Sequence, residues 1–153
     1  MFKSIFVVIL LALLGSSLYW SWVKASFYQD CARDQRWAWQ QVNNTAAEKI
    51  VTDEEMGYYL LFRSGSMPNA QIVLLDRAPK ILPSNSLIIA GGARRPDMHS
   101  FYAADWEKGL DKNNMLLIAE APFPLKPWRN SKLKIYRARQ DIRDQKLVGR
   151  IIY

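Results

Sequence analysis

With one histidine and one cysteine among its 153 residues, the chain has few of the groups from which catalytic centres are built. A Ser-His-Asp triad would depend wholly on His99, and His99 with Cys31 supplies too few ligands for an ordinary structural zinc site. A single cysteine excludes an internal disulfide framework. Cys31 reads as a small apolar residue, since no histidine lies nearby in sequence to activate its thiol. His99, beside Ser100 at the head of a helical stretch, reads as a surface or capping residue. Gly91-Gly92-Ala93-Arg94-Arg95 follows an apolar strand and precedes that helical stretch, so its backbone amides and two cations could receive an anion. Its spacing fits neither a dinucleotide fingerprint nor a P-loop, and a tight turn is the simpler reading. No metal and no cofactor are expected.

The other segment with potential chemistry is Ser64-Gly65-Ser66-Met67-Pro68, which follows a long apolar N-terminal run and precedes the strand-like segments Gln71 to Asp76 and Ser86 to Ala90. It resembles the serine box of type I signal peptidases and, with Pro directly after Met, that of the related plasmid-conjugation peptidases. The resemblance covers five residues and implies a membrane-tethered, β-rich Ser/Lys hydrolase with Ser66 as nucleophile and Ser64 as an oxyanion-site contributor. Such a device needs a buried, neutral lysine to take the serine proton. The family carries that lysine in a Lys-Arg pair followed by an apolar residue and Gly-Asp, a segment missing here. Lys108, Lys112 and Lys126 fall at comparable distances, with Lys108 the candidate in this second reading, but all three stand in polar or proline-rich surroundings. A flexible Ser-Gly-Ser turn is the reading preferred for 64–68.

What must position these groups starts with residues 5–22, IFVVILLALLGSSLYWSW, 18 uncharged and mostly apolar residues. As a helix they extend roughly 27 Å, close to the thickness of a bilayer's hydrocarbon core. Tyr19, Trp20 and Trp22 cluster at the C-terminal end, where amphipathic rings settle at headgroup level, and Lys3 and Lys24 bracket the run. A cleaved secretory signal, with its site at Gly15-Ser16-Ser17 or Val23-Lys24-Ala25, is the alternative. Length and aromatic flank favour a retained anchor over residues 1–24. Counting flanking cations would place the rest of the chain in the cytoplasm, whereas the short basic start followed at once by an apolar run argues for export. The extracytoplasmic placement, periplasmic in a bacterium, is the one preferred here.

Charge is uneven. Residues 26–125 hold 10 Lys/Arg against 12 Asp/Glu, and residues 126–153 hold 9 against 2. The basic tail suits anionic headgroups or an acidic partner, though its singly spaced cations also suit the solvated face of a sheet. No zinc-ligand spacing, helix-turn-helix signal or aromatic RNA-binding motif is present, so nucleic acid is not an expected partner.

Proline divides the chain, with none before Pro68 and all seven between Pro68 and Pro127. Residues 25–50 predict a juxtamembrane helix continuing the anchor, with an apolar stripe of Tyr28, Ala32, Trp39, Val42, Ala46 and Ile50. Trp37 and Trp39 on it read as packing or interfacial anchors. Thr52 with Glu55 fits a capping box opening a short helix over Met56 to Phe62, although GYYLLF is equally good strand material. Strands are expected over 71–76, 86–90, 115–119, 132–137 and 147–153, and a helix over 100–108. In the fourth strand Leu133 and Ile135 alternate with Lys132 and Lys134, apolar against charged.

These features predict an α+β protein. A single transmembrane helix runs into a juxtamembrane helix, followed by a small, mainly antiparallel sheet domain over 51–153. Its expected role is non-enzymatic: a single-span membrane protein whose domain binds a protein partner in an envelope assembly. The candidate contacts are Trp37, Trp39, Lys132, Lys134, Arg137 and Arg139.

Overall fold

In a computed structural model of the chain, residues 2–43, 45–63, 71–74, 81–93, 113–126 and 131–143 are described. The expected strand at 147–153, the expected helix at 100–108 and the Ser64 to Pro68 segment lie outside them.

One helix, α1 (Phe2–Val42), runs about 60 Å without interruption. It contains no proline, and its lone glycine, Gly15, lies within the apolar run. Every side chain from 5 to 22 is exposed, so this stretch packs against nothing in the domain. The buried positions begin at Phe27 and continue through Asp30, Cys31, Asp34, Ala38 and Val42. This spacing of three and four puts them on one face. The expected stripe was displaced from this one. Tyr28 and Ala32 are exposed and Trp39 is half-buried, and only Val42 is common to both. Two aspartates on the buried face made it look polar in sequence.

The helix also ends earlier than residue 50. Thr45 donates to the Val42 carbonyl through both its backbone N–H, at 3.0 Å, and its hydroxyl, at 2.7 Å, diverting the last turn. The β-branched run that follows becomes β1 (Lys49–Thr52) instead of helix. From β1 the chain enters α2 (Glu54–Arg63), resolving GYYLLF as helix. The cap is Asp53 and not Thr52: Asp53 Oδ1 accepts from Met56 N at 3.1 Å. Thr52 is buried in β1, where its hydroxyl approaches the Ile89 carbonyl at 3.4 Å.

The remaining strands are β2 (Gln71–Leu74), β3 (Ile81–Leu82), β4 (Leu87–Ala90), β5 (Met115–Glu120), β6 (Lys134–Ala138) and β7 (Ile142–Arg143). Five form a sheet in the order β2-β1-β4-β6-β5, and β3 pairs with β7 as a separate antiparallel ribbon. The main sheet is mixed and not mainly antiparallel. β1 pairs in parallel with β2 and with β4, while β6 pairs antiparallel with β4 and with β5. The parallel pairing of β1 with β2 follows from α2: a helix between them returns the chain to the starting edge, so the second strand repeats the direction of the first.

Alternation along the strands divides the core. Ile50, Leu87, Ile89, Leu133 and Ile135 face α1 and α2, meeting Ala38, Val42, Met56 and Leu60. Val51, Ile88, Met115 and Ala138 face the opposite way, toward Leu82 and Ile142 of the ribbon. β4, at the centre, is buried at all four positions. Leu133 and Ile135 are fully buried, as their alternation with lysines predicts, and full burial of each contributes about 1.5–3 kcal/mol.

Removal of the α2 cap should be measurable. Asp53→Ala is expected to lower stability by about 1 kcal/mol in thermal unfolding of the detergent-solubilised protein. Thr52→Val should cost less, because it gives up only the long hydroxyl contact, and the reverse order would return the cap to Thr52.

Candidate functional site

The strongest concentration of polar groups lies where α1 meets the ends of β4 and β5. Asp30 and Asp34 stand one turn apart on the buried face of α1, 3 % and 1 % exposed, a depth at which carboxylates occur only with partners. Asp30 has two cations. Its Oδ1 takes Arg33 at 2.6 Å and its Oδ2 takes Lys126 at 2.8 Å. The Arg33 guanidinium also lies 4.3 Å from the centre of the Phe123 ring. The segment leaving β5 is thereby held to α1 at two successive points, Phe123 and Lys126.

Asp34 reaches the turn after β4, where its Oδ2 accepts the Ala93 N–H at 2.8 Å. Gly91 and Gly92 there have φ of +83° and +94°, a region glycine enters without penalty. Space imposes glycine as well: a Cβ on Gly92 would come within 2.7 Å of Asp34 Oδ2, and one on Gly91 would overlap the Lys132 carbonyl. The Ala93 amide of the turn, which could receive an anion on the less simple of its two readings, is occupied by a carboxylate of the chain itself. Arg94 and Arg95 lie outside the described residues. Cys31 is buried beside the same turn, its Sγ 3.8 Å from the Ala93 carbonyl, in a cluster with Phe27 and Ala93.

This arrangement is a clasp. Its carboxylates and cations are turned toward one another and toward backbone, and its thiol toward the Ala93 carbonyl. Among the described residues no three His, Cys, Asp or Glu side chains are grouped to hold a metal ion. For the peptidase resemblance, Ser64, Ser66, Lys108 and Lys112 lie outside the described residues, as does His99. Lys126, the one candidate lysine that is described, has its ammonium on Asp30.

The proposed partner contacts are dispersed. Trp37 and Trp39 are half-buried against the helix-side core. Lys132 is exposed and pairs with Glu120 at 2.7 Å, while Lys134 is half-buried. Arg137 is half-buried with its Nε unpartnered, and Arg139 is exposed near the opposite end of β6 from Lys132. An apolar surface forms elsewhere, on α2, where Tyr58, Leu61 and Phe62 are 56 %, 44 % and 87 % exposed. Their spacing puts them on one face, opposite the buried Met56 and Leu60. Sequence reasoning passed over this face while GYYLLF was undecided between helix and strand. Once it is helical, so many apolar residues in ten cannot all turn inward. The aspartate pair left a signal too: Asp30 and Asp34, four apart, fall in step with Phe27, Ala38 and Val42.

No protein-family model, no curated protein and no solved structure matches the chain.

Two outcomes follow from the clasp and its rim. Asp34→Ala strands the buried Ala93 N–H and should cost about 1–3 kcal/mol in unfolding experiments, whereas Asp34→Asn keeps an acceptor and should cost less. Equal losses would mean that charge, and not the hydrogen bond to Ala93, is what the site requires. At the rim, the hydrogen bond and charge of Lys132 hold the Glu120 carboxyl below its ordinary range. That contribution to stability is present above the ordinary carboxylate pKa and fades as pH falls through the lowered folded value. Lys132→Ala should move the Glu120 titration upward in an NMR pH series, and an unmoved titration would contradict the pairing.

Proposed function

We propose that the protein is a single-span membrane protein whose small extracytoplasmic α+β domain binds a protein partner in a membrane or envelope assembly, without catalysis of its own. The observation that carries this reading is the dual use of α1. Its first half is apolar on all sides and wholly exposed, while its second half is a packing element of the domain core. A helix apolar all round finds its stable environment in lipid or inside a larger protein. In the bilayer, α1 would hold the domain at a fixed height and azimuth, a geometry suited to presenting a surface to a neighbour.

Two separate surfaces suit a partner, the apolar α2 face of Tyr58, Leu61 and Phe62 and the charged β6 region. Contiguous exposed aromatic and aliphatic groups mark interaction sites more often than isolated ones do. Trp37 and Trp39, half-buried, pack against the helix-side core.

Full-length protein should stay in the membrane fraction after carbonate washing and co-purify from detergent with a discrete protein. Phe62→Glu, or Lys132→Glu with Lys134→Glu, should reduce that co-purification several-fold at unchanged protein level. Recovery indifferent to both changes would remove the domain surface as the binding site. Loss of the cellular role in a Ser66→Ala variant that still folds and inserts would replace this proposal with the Ser/Lys peptidase.

A further inference from the structure

The clasp sets the height of the segment leaving β5 relative to the span, and we propose that this segment, with exposed Leu125, rests on the lipid interface of the membrane that α1 crosses. The proposal depends on residues 5–22 being that span, and the experiment below separates the two. α1 leaves the apolar run at Trp22, whose ring belongs at headgroup level. Asp30 lies eight residues further, about 12 Å along the axis. The segment after β5 meets α1 at the level of Asp30, with Phe123 against the Arg33 guanidinium that Asp30 Oδ1 holds and Lys126 on Asp30 Oδ2. Strand direction agrees. β5 runs with β4, because both are antiparallel to β6, and the end of β4 reaches Ala93 beside Asp34.

Leu125, next to Lys126, is 58 % exposed on this underside, in the sequence Ala-Pro-Phe-Pro-Leu-Lys, where Pro122 and Pro124 are exposed as well. The headgroup layer adds about 5–8 Å beyond the hydrocarbon on each side. A tilt of about 20°, common for spanning helices, would lower this flank by several ångströms more when directed toward it. A lone exposed leucine on a protein surface is ordinary. One on the bilayer-facing side of a membrane-anchored domain has lipid as its nearest neighbour. Charge at this level agrees, since Arg33 and Lys126 flank the buried Asp30 and Lys24 lies below it on α1, and cations near an anionic surface are attracted to it.

The test uses the full chain with Cys31→Ala and one environment-sensitive fluorophore on a cysteine introduced at Leu125, Pro124, Leu10 or Ser84. The proteins are reconstituted in mixed phosphatidylcholine and phosphatidylglycerol vesicles containing lipids spin-labelled near the headgroup. Labels at 124 and 125 should be quenched and blue-shifted, the label at 10 should report the bilayer interior, and the label at 84, at the far end of the domain, should be unaffected. Leu125 and Pro124 are exposed, so either label leaves the core intact. Labels at 124 and 125 that behave like the one at 84, with 10 inside the bilayer, would overturn the proposal and leave the anchor in place. A label at 10 that senses no lipid would overturn both.

Discussion

The hydrogen bond from the Ala93 amide to the Asp34 carboxylate is the constraint around which the remaining structure is arranged. It joins an element that lies outside any sheet, α1, to the end of the central strand β4, and it does so from a buried position where an unpaired charge would be costly. The two glycines before Ala93 are required by the approach, because a side chain at either place would displace the carboxylate or the neighbouring Lys132 carbonyl. Asp30, one turn lower, repeats the device with cations. Buried ion pairs of this kind contribute uncertainly to stability, but they accept only one register of helix against sheet, which apolar packing alone does not enforce.

With the helix so placed, the order of the sheet follows. α1 delivers the chain to the far end of the domain, and β1 returns along the helix toward the clasp. The α2 crossover then forces β2 parallel to β1. β6 and β5 complete the sheet on the other side of β4, and the loop leaving β5 arrives at the same end as the glycine turn. The clasp end is polar, closely partnered and tied to α1, whereas the face of α2 that points outward is apolar.

Much of this was legible from local pattern. Leu133 and Ile135 are buried and Lys132 is exposed because a half-covered strand separates alternate residues, a property of the chain that needs no distant information. The segments around 71, 87 and 115 were recognisable as strands for similar reasons. What escaped was decided at a distance. Asp30 and Asp34 gain a reason for burial only once Ala93 and Lys126 supply their partners, and the helical stripe expected from apolar residues alone falls one residue out of step. The end of α1 at Val42 turns on where the Thr45 hydroxyl points. Parallel pairing depends on whether GYYLLF is helix or strand, for which its composition serves either. The exposed apolar face of α2 could not be seen before that choice was made.

The continuity of α1 carries a mechanical consequence. Between Ser16 and Val42 the chain has no glycine or proline at which to swivel, so a rotation of the apolar half about its own axis turns the domain through the same angle. About 30 Å of helix separates Trp22 from Val42, and a change of tilt by about 10° would carry the far end sideways by about 5 Å. In the proposed membrane setting, a neighbour gripping the apolar half would therefore steer which side of the domain looks outward, with the helix acting as axle and lever together.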